Sequence, residues 1–539
     1  MGLEALRDYY DARGLALSDE LPEHLALRPH QQDAIEWAAE QSAPYLFINA
    51  PTGSGKTLIN TTVGLMSEQP WTYAVHTLRL QQQVASQFVD IPVFTGRANH
   101  ACELMAGTTA ADAMCAMPGY QYGECSHDPS GPSMCAYYEQ STRAMSSTAR
   151  VVNYSLLLSY PPLVVRPRNP QQVGTRVLLC DEAHNVEEAV CSAVTLTLSE
   201  RTLRRIGVTM PRCRTIMDWA GWARKLIEDD RLKWRGQPDA GFKNLDRTVR
   251  TLSTITDAVS GEWLVQRLQY GYVFQPIWGA PYVMEKLLGH KEPPPGATLL
   301  DYSSYSTGVR KAVFTSATLM GAEYIARLLG FPDGSWAYLD MPSTFPTANR
   351  PINYAPVDAM NAAKVNDPQG RAPMQAAIDN LIEYYVRGQN PWGIIHAVSN
   401  KYRDFILTES RWRGIMTSNV DEHEAKCSAN EASVLVSSNL SEGWDGKDAF
   451  CRFVLMPKIP FPDLGDIRTR LRKEEDPRSY DHRALVAVVQ GAGRGVRHRE
   501  DYADTWILDG AWRQLHARRG EWLPQSFKDA YHHNVPLPF

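Results

Sequence analysis

The clearest hydrophobic pattern in the chain is a short apolar run, a glycine-rich turn, and then apolar positions at helical spacing. Tyr45 to Ile48 is apolar without a break and predicts a strand buried on both faces of a parallel sheet. It enters Ala50-Pro51-Thr52-Gly53-Ser54-Gly55-Lys56-Thr57, and a helical pattern follows. A second run, Arg176 to Cys180, ends in Asp181-Glu182-Ala183-His184. A third is Phe314-Thr315-Ser316-Ala317-Thr318-Leu319, a short strand with a polar turn. Pro391 to Ala397 predicts the first strand of a further unit. Strands alternating with helices predict an α/β fold, with ligands at the carboxyl ends of parallel strands.

The loop and the acid pair point to specific chemistry. Gly53, Ser54 and Gly55 let backbone N–H groups wrap phosphates at a helix N-terminus. Lys56 supplies a point charge to the β- and γ-phosphates of ATP, and the Thr57 hydroxyl suits Mg2+. Asp181 can hold Mg2+ directly or through water, and Glu182 can orient and polarise an attacking water. Arg494 and Arg497 are three residues apart, on one face if their segment is helical, with Gln490 and Gly493 beside them. From a second domain, two guanidiniums reach the γ-phosphate only when the domains close.

Length changes the picture from one unit to several, because 539 residues exceed a single core and predict two to four domains. The chain is 44% hydrophobic and 21% charged, a globular composition. No stretch approaches the roughly 20 apolar residues of a membrane span, and MGLEALRDYYDARG lacks a signal-peptide core. The expectation is a cytoplasmic chain with no membrane partner. A net charge of −5 argues against a passive nucleic-acid coat but not against a local basic groove.

Nine cysteines are too few for a disulfide scaffold. Four of them, Cys102, Cys115, Cys125 and Cys135, stand 12, 9 and 9 intervening residues apart. Four thiolates suit a cubane iron–sulfur cluster or zinc, and the close CxxC pairs usual for zinc are missing. The segment between them is rich in Gly, Pro and Met, so a metal would give it the core it cannot otherwise build.

Asp181-Glu182-Ala183-His184-Asn185 resembles the superfamily 2 helicases, and further motifs resemble the XPD/DinG-like iron–sulfur branch. Arg28-Pro29-His30-Gln31 is similar to the adenine-side entry motif, which implies base contact by Gln31 with Arg28 nearby. His76-Thr77-Leu78 is similar to motif Ia, which implies backbone contact with DNA by Thr77. Gly96-Arg97-Ala98-Asn99-His100 leads into Cys102 much as in the family, with His100 in place of Tyr. Asn153-Tyr154, Ser316 with Thr318, and Ser441-Glu442-Gly443-Trp444-Asp445-Gly446 resemble the segment after the cluster, motif III and motif V. Gln490 to Arg497 resembles motif VI. The position of the four cysteines implies a [4Fe–4S] cluster, although the family commonly has its middle two closer together.

The resemblance implies two RecA-like parallel-sheet motor domains with two insertions in the first. Motor domain 1 is expected at 1–95, 151–195 and 306–340, the cysteine module at 96–150, a mainly helical arch-like insertion at 196–305, and motor domain 2 at 341–539. In the insertion, Trp219, Trp222 and Trp234 are candidates for stacking on a single strand or for a small core. Its later part, YGYVFQPIWGAPY, predicts loops or short strands. The basic run Arg468 to Lys473 predicts either nucleic-acid contact or a solvated helix face. The implied activity is an ATP-dependent, monomeric helicase moving 5′→3′ on single-stranded DNA and opening duplex or forked DNA. The alternatives are an ATPase that remodels nucleoprotein complexes without unwinding, and an inert DNA-binding scaffold.

Overall fold

The computed structural model describes residues 3–19, 27–116, 135–165, 171–205, 207–213, 215–228, 251–253, 255, 262–290, 308–438 and 450–539. Cys125, Trp234, Glu442, Gly443 and Asp445 lie outside the described residues.

Two seven-stranded parallel sheets organise the chain. Five strands come before the second insertion: β1 (Tyr45–Asn49), β2 (Trp71–Val75), β3 (Val93–Phe94), β4 (Ala149–Asn153) and β5 (Val177–Asp181). The insertion carries β6 (Leu196–Ser199), β7 (Trp263–Leu268) and β8 (Gly271–Pro276), and the chain re-enters the first sheet as β9 (Lys311–Ser316) and β10 (Trp336–Asp340). The first sheet has the order β10-β1-β9-β5-β2-β4-β3. The strand leading to the phosphate loop and the strand ending in the acid pair therefore flank β9, and all three end on the same side. In β1, Leu46 and Ile48 enter the core on one face of the sheet while Phe47 enters the core on the other. Burial on both faces explains why the strand reads as a continuous apolar run rather than an alternating one.

The second sheet is built from β11 (Ile352–Asp358), β12 (Trp392–His396), β13 (Met416–Thr417), β14 (Ser433–Ser437), β15 (Phe453–Met456), β16 (Asp504–Asp509) and β17 (Tyr531–His532). Its order is β13-β14-β12-β15-β16-β11-β17. It repeats the two-faced pattern, with Ile394 on one side and Ile395 on the other.

The insertions grow from loops of the first sheet. Cys102, Cys115 and Cys135 fall between β3 and β4, with Cys135 immediately before helix Ala136–Ser146. The second insertion pairs β6, β8 and β7 as an antiparallel sheet against helix Ile216–Ile227. Trp219 is buried there against Tyr272 and Phe274, so it serves the small core and offers no stacking face to a strand of DNA.

Candidate active site

The phosphate loop needs two left-handed glycines, Gly53 at φ +76° and Gly55 at φ +80°. A side chain at Gly55 would run into Gln31, and one at Gly53 into the ring of Phe345. Only glycine combines that backbone with such close neighbours. Helix Lys56–Met66 begins immediately after the loop, so its free N–H groups face the position of the phosphates. Gln31 donates to the Ser54 carbonyl at 2.8 Å and accepts from the Arg28 N–H at 2.8 Å, while Arg28 Nη1 donates to the Gly53 carbonyl at 3.1 Å. The entry motif thus braces the loop it precedes.

Lys56 Nζ lies 2.9 Å from Glu182 Oε1. Glu182 sits at φ +47°, a left-handed backbone that turns its carboxylate back over the loop. Burial, the largest single influence, would raise its carboxyl, but Lys56, His184 and Ser316 together outweigh it and hold Glu182 below the usual carboxylate range. Asp181 is shifted the other way, by burial and by the adjacent Glu182 charge. One Asp181 oxygen accepts from Tyr73 Oη at 3.0 Å and the other from the Glu182 N–H at 2.8 Å, which fixes the carboxylate plane. Asn60 links Tyr73 to Thr315 behind it. Tyr154 is buried beneath the pair and donates to the Asp181 carbonyl at 2.6 Å.

Motif III completes the first wall. Ser316 Oγ is 2.8 Å from His184 Nδ1, 3.3 Å from Glu182 Oε2 and 3.2 Å from Thr318 Oγ1. The opposite wall comes from the second sheet. Gln490 Nε2 is 2.8 Å from His184 Nε2, and a side chain on Gly493 would meet Thr52. Arg497 is close enough for its charge to act on Lys56. These groups enclose a cavity of about 340 Å³ lined by Gly53, Lys56, Glu182, Gln490, Arg494 and Arg497. Phe345, Arg350 and Phe527 line the same cavity, and nothing in their sequence context marks them for it. Tyr73 and Asn60 also escaped the sequence reading, because a tyrosine in an apolar strand looks like ordinary core.

The remaining candidates divide. Thr77 caps helix Leu78–Ala85, accepting from the Leu80 N–H at 3.2 Å, and Asn153 caps helix Tyr154–Ser159, accepting from Leu156 at 2.8 Å. In the cysteine module, Arg97 Nη1 is 3.6 Å from Cys115 Sγ, and its Nη2 donates to Tyr138 Oη at 2.7 Å. Cys115 and Cys135 both lie near enough to act on the Tyr137 hydroxyl. Among the described residues, no three His, Cys, Asp or Glu side chains converge as a metal site. The run Arg468 to Lys473 is not solvated throughout, because Arg468 and Arg472 are buried while Arg470 is exposed.

Comparison with known proteins agrees with this architecture. Residues 24–210 match the family described as type III restriction enzyme, res subunit, and residues 395–530 match the helicase C-terminal domain family. The ATP-dependent DNA helicase chl1 of Schizosaccharomyces pombe is 27% identical over 109 residues, which are 17% of this chain and 13% of that protein. The ATP-dependent DNA helicase chl-1 of Caenorhabditis elegans is 26% identical over 164 residues, 28% of this chain and 19% of the relative. The chain thus spans less than a fifth of the length of these curated relatives. Two solved structures, XPD_APO and S. tokodaii Xpd4, share the fold with TM-scores of 0.55 and 0.54, at 16% and 12% identity. Each comparison covers 94% of this chain and all of the other. With two parallel-sheet domains, the ordered motifs and both family matches in hand, the chain is similar to superfamily 2 helicases, and its fold is that of the XPD structures.

Proposed function

We propose that the chain is an ATP-dependent helicase that moves 5′→3′ along single-stranded DNA and separates duplex or forked DNA. The observation that carries this reading is the cavity in which Lys56 and Glu182 from one parallel sheet face Gln490, Arg494 and Arg497 from the other. Lys56 and Thr57 hold the triphosphate, and Asp181 with Thr57 holds Mg2+. Glu182 accepts a proton from the attacking water once ATP has drawn Lys56 onto its phosphates. Arg494 and Arg497 neutralise the charge developing on the transferred phosphoryl. Because those arginines belong to the other domain, catalysis requires closure, and each hydrolysis cycle displaces one sheet against the other. Grip on DNA through its phosphates predicts low sequence specificity.

Cys102, Cys115, Cys125 and Cys135 are the ligands we propose for a [4Fe–4S] cluster. The fit rests on donor chemistry: two of the thiols share the Tyr137 neighbourhood, and Arg97 Nη1 lies 3.6 Å from Cys115 Sγ. Bound there, the cluster supplies a cross-link for a module with few strongly apolar runs. The chain's own residues then shape a wedge beside the track.

Strand displacement on forked DNA with a 5′ or a 3′ single-stranded tail tests the function. Unwinding only with the 5′ tail and ATP is expected. DNA-stimulated hydrolysis without displacement would support the remodelling ATPase instead, and DNA binding without hydrolysis the scaffold.

A further inference from the structure

Two arginines one turn apart on helix Ile467–Glu475 are buried, Arg468 at 8% and Arg472 at 4% exposure. Both reach across to Glu187 and Glu188, in the first turn of the helix Val186–Val194 that follows the acid-pair motif. Arg472 grips Glu187 with both ends of its fork, at 2.5 and 3.1 Å. Glu187 Oε1 also accepts from the Gly279 N–H at 2.7 Å and from Cys191 Sγ at 3.2 Å. Arg472 Nε donates to the Ile277 carbonyl at 2.6 Å, and its guanidinium lies 4.7 Å over the Trp278 ring. Arg468 Nη1 meets Glu188 Oε1 at 2.7 Å, and Glu188 faces Arg483 at 4.0 Å. One buried junction therefore joins the first motor domain, the returning end of the second insertion, and the second motor domain.

A buried ion pair is poor value as glue, because desolvating both charges cancels most of their attraction. Its strength is geometric, since a bidentate fork tolerates little displacement. The location gives that geometry a use. Glu187 is three residues past His184, and His184 touches Gln490. Arg472 is on the helix immediately before Pro477–Ala492, whose far end carries Gln490 and delivers Gly493 against Thr52. Asp476, between the two helices, caps the second one and pairs with Arg327 of the first domain.

We propose that Glu187 and Arg472 are positioning residues that hold the helix behind the acid pair in register with the helix carrying Gln490, so that closure brings Arg494 and Arg497 onto the phosphate. This rests on the ATPase reading above. Lys56, Thr57 and the loop bind ATP from the first domain alone, so loss of register affects turnover rather than ground-state binding.

The test is steady-state ATP hydrolysis with saturating single-stranded DNA, on the full chain. The double variant Glu187→Gln/Arg472→Met keeps side-chain volume and leaves no lone buried charge. Arg472→Lys keeps the charge and loses the fork. Each is expected to lower kcat about 10-fold with KM for ATP within about twofold of wild type, while the melting temperature stays within a few degrees. A kcat equal to wild type in both variants overturns the inference and leaves the ATPase reading intact. A lowered melting temperature with unchanged kcat reduces the junction to a brace and overturns it as well. A wild-type chain with no DNA-stimulated hydrolysis overturns both readings.

Discussion

Lys56 and Glu182 form a 2.9 Å ion pair across the floor of the nucleotide cavity. The lysine is the group expected on the β- and γ-phosphates, and the glutamate is the group expected on the attacking water. A triphosphate entering the loop competes for the lysine, so substrate binding itself releases the glutamate for catalysis. The pair guards against an idle base, since Glu182 held by Lys56 is a weak proton acceptor.

Replacing either partner should therefore stop turnover for different reasons. Lys56→Ala removes the phosphate charge, and Glu182→Gln keeps shape while removing the base. Each is expected to lower ATP turnover at least about 100-fold, with DNA affinity within about threefold of wild type. Turnover close to wild type in either protein would sink the site assignment.

Tyr73 holds one oxygen of Asp181, and no part of it faces the cavity. Tyr73→Phe frees that carboxylate to rotate, so it should raise the Mg2+ concentration giving half-maximal ATP hydrolysis several-fold. Maximal turnover at saturating Mg2+ should fall much less. An unchanged Mg2+ titration curve would show that Asp181 needs no such support.

The cysteine module makes a compositional prediction. Protein purified without oxygen should contain about four iron and four acid-labile sulfide per chain, as the proposed [4Fe–4S] cluster requires. Cys115→Ser should weaken strand displacement more than hydrolysis. Zinc in place of iron would remove the grounds for the cluster while leaving the ATP cavity untouched.

His482 lies in the domain interface, its ring 4.9 Å from Tyr324, and burial together with the charge of His184 lowers its pKa to about 4. The unfolded chain then binds this proton first, so stability is complete above pH 6.5 and is lost as pH falls toward 4. The loss amounts to about 3 kcal/mol at the acid end. Urea unfolding of His482→Gln should show a shallower decline than wild type between pH 6.5 and 4.5. Parallel declines would remove His482 as a contributor.

The local parts of the site were legible because their chemistry is local. A strand, a left-handed glycine pair, a lysine and a helix N-terminus make a phosphate cradle within a dozen residues, and no distant contact is needed to recognise it. Thr77 and Asn153 were legible as motif positions, and their side-chain oxygens also cap the helices they begin. Tyr73 and Phe345 were not legible, since an aromatic residue in an apolar setting looks the same whether it fills core or borders a ligand.

The sequence by itself determined two parallel-sheet units and the order of their motifs, because both follow from short apolar runs and turn chemistry. Only the tertiary structure decided which charges meet. Arg472 and Glu187 are 285 residues apart, and a basic helix face reads identically whether it meets water, phosphate or a buried carboxylate. The same holds for Gln490 and His184, 306 residues apart and 2.8 Å from one another. Hydrophobic periodicity records which face of an element is buried, whereas the partner of a buried charge is set by how whole domains dock.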